Sequence, residues 1–346
     1  MNMKSMQLTG LRQMSMFDVP RPDIQNDTDV LIRMQAVGVC GSDVHYYVTG
    51  KIGSQVVQYP FPVGHEGAGI VEKVGNAVDT LQIGDRIAIE PAMPCGACDQ
   101  CLAGRPHTCR KLRFLGCPGQ AVGCLSEYIV MPQKSCLPIP DSMSFEQASI
   151  SEPLAIGLYA ARLAGDVKEK NIAILGSGPI GLSVLAGVQL AGAGDVYLTD
   201  KIDERLSIAR ESGATATYNV LHQDVAVEVA KQNPQMLDMV FECCGQQEAL
   251  DQSIHLLKPG GKLMIVGIPQ FSNFSFSVDE LRRKEICIQN VRRQNGCDKE
   301  AIRVIADGSV AVDHWITHHF DFNECKEAFD LVAEYRDGVM KAMINF

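Results

Sequence analysis

From Asn171 onward, short apolar runs alternate with segments whose apolar residues recur every three or four positions. Such runs are typical of buried parallel strands, and the longer period is typical of helices. The predicted strands are 171–175, 196–200, 214–218, 237–242, 262–266 and 286–290. The predicted helices are 179–192, 203–212, 223–232, 246–257 and 278–284, with a turn at 258–261. This alternation predicts an α/β domain with a doubly wound parallel sheet, the architecture of nucleotide-binding domains.

The region before Asn171 has a different pattern, in which short extended segments are separated by glycine-rich turns. Apolar positions near 29–34, 70–75 and 84–89 predict strands, so this region is expected to be mostly β. Residues 145–164 are predicted to be helical, because Ser144 before them is a suitable N-cap. After 290 the pattern predicts helices near 298–307 and 323–334 and strands near 315–320 and 338–346.

One apolar stretch is long enough to cross a bilayer. Ile172 to Gly194 carries no charged residue over 23 positions. Six glycines and a proline interrupt the stretch, so a buried strand followed by a helix on the sheet explains it better. No membrane segment is expected.

Composition adds limits on partners and compartment. The 346 residues are enough for two domains, and 46% hydrophobic residues allow each domain a core. A net charge of −10 argues against nucleic acid or an anionic membrane surface as partner. The first residues lack the apolar core of a signal peptide, so we expect a cytoplasmic protein. In a reducing compartment, clusters among the 13 cysteines indicate metal ligands.

A glycine-rich turn joins the first parallel strand to its helix. Its sequence is Gly176-Ser177-Gly178-Pro179-Ile180-Gly181, a GxGxxG motif in the strand-to-helix context that makes it credible. Gly176 permits the tight turn, Gly178 lets a pyrophosphate approach the backbone, and Gly181 allows close packing of helix and strand. The free N–H groups of the first helical turn attract phosphate. The motif predicts a dinucleotide site.

Asp200 ends the next predicted strand, 19 residues beyond Gly181. A carboxylate at this place accepts hydrogen bonds from the adenosine ribose and repels a 2′-phosphate, which favours NAD over NADP. The nearby cations Lys201 and Arg205 keep NADP open as an alternative.

A cysteine-rich segment lies within the region before Asn171. Cys95, Cys98, Cys101 and Cys109 follow the spacing C-x2-C-x2-C-x7-C. Four thiolates close a tetrahedral zinc site and leave no position for substrate, so the site is structural. Ferredoxin-like iron–sulfur binding is the alternative, but the last spacing differs from the ferredoxin pattern and no proline follows Cys109.

The remaining ligand-type residues are scattered along the first half of the chain. Cys40 lies in Gly38-Val39-Cys40-Gly41-Ser42-Asp43-Val44-His45-Tyr46, the pair His65-Glu66 lies between glycines, and Glu152 precedes a proline. With the run Gly64-His65-Glu66-x2-Gly69-x5-Gly75-x2-Val78, the cysteine lobe and the GxGxxG turn, the chain closely resembles the zinc-dependent medium-chain dehydrogenase/reductases. Within that family it most resembles the sorbitol (L-iditol 2-) and related polyol dehydrogenases, through Gly50-Lys51-Ile52-Gly53, Ile89-Glu90-Pro91 and Glu152-Pro153-Leu154.

The resemblance implies a domain organisation. A GroES-like, mostly β catalytic domain would comprise 1–153 plus 291–346, with the structural zinc lobe at 91–110. A Rossmann NAD-binding domain would comprise 154–290. Members of the family form homodimers or homotetramers, so a homo-oligomer is expected.

The resemblance also implies a catalytic zinc site. Its ligands would be Cys40 and His65, completed by Glu66, Glu152 and water, and which of the two carboxylates binds directly stays open. Zinc would lower the pKa of the substrate hydroxyl so that an alkoxide forms, and hydride would pass from the carbinol carbon to nicotinamide.

Further roles are carried over position by position. Ser42 and His45 match the proton relay, Tyr46 matches a polyol-contacting aromatic residue, and Arg293 matches an arginine near the substrate. Gln294 departs from the family, since many members have tyrosine there. Besides the GxGxxG turn, the implied cofactor contacts are Ile180, Asp200, Arg205, Val266, Gly267, Ile268, Arg292, Arg293 and Gln294.

The sequence therefore predicts a zinc- and NAD-dependent polyol dehydrogenase acting on a small molecule of the sorbitol, xylitol or L-iditol type. Threonine, a vicinal diol or a sugar-alcohol phosphate are alternative substrates. A zinc- and NAD-binding scaffold without catalysis is the alternative from another functional class.

Overall fold

The structure is a computed structural model that describes residues 1–269 and 271–346. The chain forms two compact units, Met1–Glu152 with Asp298–Phe346, and Pro153–Cys297. The domain limits inferred from the sequence, 1–153 plus 291–346 and 154–290, stay a prediction. In the structure, residues 291–297 belong to the second compact unit.

The first unit is built mainly from strands, as its glycine-interrupted extended segments predict. Its strands up to Glu152 are β1 (Asn2–Gly10), β2 (Gln13–Pro20), β3 (Asp29–Gly38), β4 (Lys51–Ile52), β5 (Gln55–Val56), β6 (Glu66–Val74), β7 (Arg86–Ile89), β8 (Ala92–Met93), β9 (Arg113–Phe114), β10 (Tyr128–Pro132) and β11 (Cys136–Pro138). Its helices are α1 (Gly41–Thr49), α2 (Asp99–Leu102) and the start of α3 (Phe145–Ala164). Ser144 caps α3, because its Oγ accepts the N–H of Gln147 at 3.0 Å.

The second unit follows the alternation predicted from the apolar periodicity. Its strands are β12 (Ile172–Leu175), β13 (Val196–Asp200), β14 (Ala216–Asn219), β15 (Leu237–Glu242), β16 (Leu257–Ile265) and β17 (Cys287–Asn290). Its helices are α4 (Pro179–Leu190), α5 (Asp203–Glu211), α6 (Val225–Gln232), α7 (Gln247–Leu256) and α8 (Val278–Lys284). The sheet is parallel throughout, in the order β14-β13-β12-β15-β16-β17. This order reverses between β12 and β15, which is where ligands bind in doubly wound sheets.

The chain then returns to the first unit through α9 (Asp298–Ala306), β18 (Ile316–Asp321), α10 (Cys325–Ala333) and β19 (Lys341–Asn345). Strands β18 and β19 extend the main sheet of that unit, whose order is β11-β7-β6-β3-β19-β18 with β10 also paired to β3. Apolar side chains of β3, β6 and β19 fill its core, including Ile32, Val71 and Ile344. A separate cluster that includes Leu175, Val240 and Leu263 forms the core of the second unit.

The structure differs from the sequence-based predictions at two places. Helix α1 was not predicted, because Gly41 and the polar residues after it carry no clear apolar period. The predicted turn at 258–261 lies inside β16, which begins at Leu257. Leu257 pairs with Leu237 before a register shift, and Gly260 has a φ of 78°, so the strand is irregular at this point rather than interrupted by a free turn.

Among residues 1–269 and 271–346, no helix is long and apolar enough to span a membrane.

Candidate functional site

The main sheet of the first unit brings the scattered ligand-type residues together. Strands β3 and β6 are antiparallel neighbours, and Gly38 near the end of β3 lies opposite Glu66 at the start of β6. Cys40 follows β3 as the N-cap of α1, and His65 directly precedes β6. A Cβ at position 38 would overlap Glu66 Oε2, so glycine at this position leaves room for the buried carboxylate.

The result is a compact cluster of metal-ligand atoms. Donor atoms of Cys40, His65 and Glu66 all lie within 4.8 Å of one another, and both His65 and Glu66 are buried. Thiolate, imidazole and carboxylate are the ligand types that zinc takes in catalytic sites, where three protein ligands leave one position open. These residues therefore fit a catalytic zinc ion.

Asp43 orients the imidazole of His65. Its carboxylate is fully buried and lies 3.2 Å from Nδ1, and it also accepts the N–H of Gly64 at 3.2 Å. Burial disfavours the imidazolium, but the charges of Asp43 and Cys40 outweigh it and raise the pKa of His65 well above its usual value. A hydrogen bond from Nδ1 to a carboxylate fixes the tautomer that leaves Nε2 for a metal.

Glu66 forms a buried ion pair. Lys341, the first residue of β19, places Nζ 2.6 Å from Glu66 Oε2, and the side chains are only 2% and 1% exposed. The same Nζ lies 3.4 Å from the carbonyl oxygen of Val39. Although burial disfavours the ammonium, the Glu66 carboxylate raises the pKa of Lys341. The pair holds Glu66 in place beside Cys40 and His65.

Glu152 lies on α3 and is not part of the three-residue cluster. Its removal from water raises the pKa of its carboxyl group to about 8, with Glu66 adding to the rise and His65 opposing it. These electrostatic effects show that Glu152 shares its surroundings with the cluster. The structure thus groups Glu66, rather than Glu152, with Cys40 and His65, and Glu152 as a ligand stays a prediction.

Helix α1 carries the other predicted residues of this site. Ser42 Oγ lies 3.4 Å from Cys40 Sγ, and burial lowers the pKa of His45 below its usual value. Tyr46 is buried, and its hydroxyl donates to Gln55 Oε1 at 3.1 Å. Gln55 in turn lines a cavity of about 460 Å³.

The cysteine lobe brings its four sulfur atoms within 4.8 Å of one another. Cys98 Sγ lies 3.6 Å from Cys101 Sγ and 3.8 Å from Cys109 Sγ. A tetrahedron with zinc–sulfur bonds of about 2.3 Å has edges of about 3.8 Å, so the sulfurs fit zinc. Backbone N–H groups of Cys101 and Arg110 lower the pKa of Cys98 to about 6, which favours a thiolate ligand.

The GxGxxG turn has the backbone that its glycines predict. Gly176 has a φ of 100°, and a Cβ at Gly181 would overlap the carbonyl oxygen of Gly176. Gly178 is the N-cap of α4, and Pro179 begins that helix. The N-terminus of α4 is therefore open to an anionic group.

Asp200 lies at the carboxyl end of β13, beside this turn. Its carboxylate accepts backbone N–H groups of Ser177 at 2.8 Å, Lys201 at 2.7 Å and Ile202 at 3.1 Å. Arg205 on α5 is buried, and its guanidinium lies 3.6 Å from the place a Cβ would take at Gly178. Both side chains therefore lie close to the glycine turn.

The remaining predicted cofactor residues lie at the ends of β16 and β17. Val266, Gly267 and Ile268 directly follow β16. Arg292, Arg293 and Gln294 follow β17, and Arg293 has a left-handed backbone with a φ of 52°. Gln294 Oε1 accepts the N–H of Cys297 at 2.9 Å. Both segments lie at the edge where parallel sheets bind ligands.

Comparison with known proteins decides the family. The family model for the alcohol dehydrogenase GroES-like domain matches residues 26–141, and the model for zinc-binding dehydrogenase matches residues 179–307. A sorbitol dehydrogenase of Bacillus subtilis (strain 168) is 36% identical over 344 residues, covering 99% of this chain and 97% of that protein.

The chain belongs to the zinc-dependent medium-chain dehydrogenase/reductases.

A further similar sequence and a similar solved structure support this family assignment. An L-idonate 5-dehydrogenase of Vitis vinifera is 35% identical over 324 residues, covering 92% of this chain and 88% of that protein. A solved structure from Sinorhizobium meliloti 1021, assigned as a zinc-binding dehydrogenase and bound to NADP, has a TM-score of 0.91 and 30% identity, covering 100% of both chains. The predictions of the family, of the fold class and of a zinc-binding dehydrogenase are confirmed.

Two residues of this site, Asp43 and Lys341, were not predicted from the sequence. Asp43 lies on the unpredicted helix α1. Lys341 lies in a strand that was predicted, and a single lysine between Met340 and Ala342 is the signal that could have found it, because a charge in an apolar run needs a buried partner.

Proposed function

We propose that this medium-chain dehydrogenase oxidises a secondary hydroxyl of a polyol, of the sorbitol, xylitol or L-iditol type, to the ketose with NAD as acceptor. The observation that carries the proposal is the convergence of Cys40, His65 and Glu66 donor atoms within 4.8 Å. Two separate donor sets support one catalytic and one structural zinc ion, the second held by Cys95, Cys98, Cys101 and Cys109.

The chain's own residues prepare the catalytic site. Cys40 and His65 would hold the metal, Asp43 orients the imidazole, and Lys341 holds Glu66. When bound, zinc acts as a Lewis acid that lowers the pKa of the substrate hydroxyl.

Ser42 and His45 are the residues proposed to move the released proton. Ser42 contacts Cys40, and His45 lies almost one turn further along the same helix. Because burial lowers the pKa of His45, its imidazole is neutral near pH 7 and can accept a proton. The pair supports a relay from the substrate hydroxyl towards solvent.

The second unit supports NAD rather than NADP. The nicotinamide ring accepts the hydride, and the protein has to bind and orient the cofactor. The carboxylate of Asp200 beside Ser177 would repel a 2′-phosphate. The NADP found in the Sinorhizobium meliloti relative makes this choice worth a direct measurement.

The polyol assignment is supported by relatives and by side chains. The names sorbitol dehydrogenase and L-idonate 5-dehydrogenase both describe oxidation of polyhydroxylated substrates. The amide of Gln55 and the hydroxyl of Tyr46 add polar groups suited to further hydroxyls. Threonine, a vicinal diol and a sugar-alcohol phosphate are the competing substrates, and a scaffold without catalysis is the competing class of function.

The test is a reduction screen with the zinc-loaded protein, in which NAD and NADP are offered with sorbitol, xylitol, L-iditol, galactitol, threonine and 2,3-butanediol. We expect turnover of a polyol with NAD. Turnover of threonine or butanediol alone would refute the substrate class, and no turnover of any would favour the scaffold.

A further inference from the structure

Glu242 is a buried carboxyl group for which the proposed chemistry gives no role. It is the last residue of β15, between β12 and β16, and it is 1% exposed. Oε2 has no hydrogen-bond partner among residues 1–269 and 271–346. Burial of an incompletely satisfied carboxyl group is costly, so an apolar residue would be the more stable choice in this strand.

The hydrogen bonds of Glu242 join two strand-end segments. Its Oε1 accepts the backbone N–H groups of Cys244 at 2.8 Å and Gly245 at 2.5 Å, which shapes the turn after β15. Its main-chain oxygen accepts the N–H groups of Val266 at 2.8 Å and Gly267 at 2.9 Å after β16. The side chain therefore shapes the turn after β15, whereas the main chain of the same residue holds the segment after β16.

Glycines let these segments approach the carboxyl group and each other. A Cβ at Gly267 would lie 2.8 Å from Glu242 Oε2 and 2.5 Å from the nitrogen of Gly245. A Cβ at Gly176, in the GxGxxG turn, would lie 3.0 Å from the Cβ of Cys244. The turn that Glu242 shapes thus packs against both the GxGxxG turn and the segment after β16.

We propose that the side chain of Glu242 is a positioning group that sets the form of the nicotinamide half of the cofactor site by shaping the turn 243–245, which packs against the segment 266–268. This rests on the proposed NAD-dependent function. In a doubly wound sheet the cofactor lies across these strand ends, and its adenosine half contacts the side bearing β13. Loss of the two side-chain hydrogen bonds to Cys244 and Gly245 should therefore affect the two halves of the cofactor differently.

The test compares binding of NADH with binding of ADP-ribose, which lacks nicotinamide, by titration calorimetry. Glu242→Leu removes the acceptor, and Glu242→Gln keeps an acceptor oxygen of the same reach. Glu211→Leu, the same change at an exposed position of α5, is the control. We expect Glu242→Leu to weaken NADH about tenfold, as loss of two hydrogen bonds would, with ADP-ribose changed less than about twofold and Glu242→Gln near wild type.

Equal weakening of both ligands, or unchanged NADH binding, would overturn the proposal. If Glu242→Leu does not fold, Glu242→Asp decides, because its shorter side chain cannot hold both amides, and the same split between the ligands is expected. Failure of the wild-type protein to bind NADH would refute the NAD-dependent function itself, and this inference with it. Failure of the inference alone leaves wild-type NADH binding intact.

Discussion

Removal of the Lys341 ammonium tests the buried ion pair beside the candidate zinc ligands. In Lys341→Met the aliphatic stem is kept, but Glu66 loses its partner at 2.6 Å in a place where both side chains are at most 2% exposed. Loss of one partner of a buried pair costs about 3–5 kcal/mol. For a unit of about 200 residues each kcal/mol lowers Tm by about 2–4 °C, so we expect a decrease of roughly 6–20 °C.

The assay is thermal unfolding of the metal-free protein, followed by circular dichroism. Lys73→Met is the matched control, since Lys73 lies on the same strand as Glu66 and pairs with Asp23 at 2.8 Å, but both side chains are more than half exposed. An exposed pair contributes about 0–1 kcal/mol, so the control should lose at most about 4 °C.

Two further measurements separate charge from packing. Saturating zinc should shrink the effect of Lys341→Met, because a bound cation compensates the charge of Glu66. Lys341→Met combined with Glu66→Gln should regain most of the lost stability, because no buried charge is left unpaired. Equal losses in Lys341→Met and Lys73→Met would refute the reasoning.

Two other predictions concern the cysteine lobe and the cofactor. The lowered pKa of Cys98 means that its thiolate persists down to about pH 6. Metal-free protein should therefore show thiolate absorbance at 240 nm that falls as the pH drops through about 6, and Cys98→Ser should show a smaller absorbance between about pH 6 and 8. Absorbance that appears only above about pH 8 would contradict this. Asp200→Ala should raise the ratio of NADP to NAD turnover, because the carboxylate beside Ser177 no longer repels a 2′-phosphate, and an unchanged ratio would count against its role.

The second unit was well predicted, because its strands, helices and glycine turn are determined by residues close together in the sequence. The strands 196–200 and 237–242 were predicted with their observed limits, since apolar runs bounded by turn residues define them. The limits of the mostly charged helix 278–284 also match the prediction. The GxGxxG turn was readable for the same reason, because Gly176 and Gly181 are required by backbone geometry within a few residues.

The first unit was harder, because its site depends on pairing between distant strands. Lys341 meets Glu66 only because β19 lies beside β3, and no spacing in the sequence encodes that register. Asp43 was missed because α1 has a weak apolar period, and Glu242 because its partners are backbone groups, which a sequence motif does not reveal. The candidate zinc ligands could be predicted from the sequence, but the side chains that contact those ligands could not.

The most direct test of the central claim is the zinc content and turnover of His65→Ala. We expect about two zinc ions per wild-type chain and about one in the variant, which should lose polyol oxidation but bind NADH with wild-type affinity. Undiminished turnover, or two zinc ions retained in the variant, would contradict a catalytic zinc site at Cys40, His65 and Glu66.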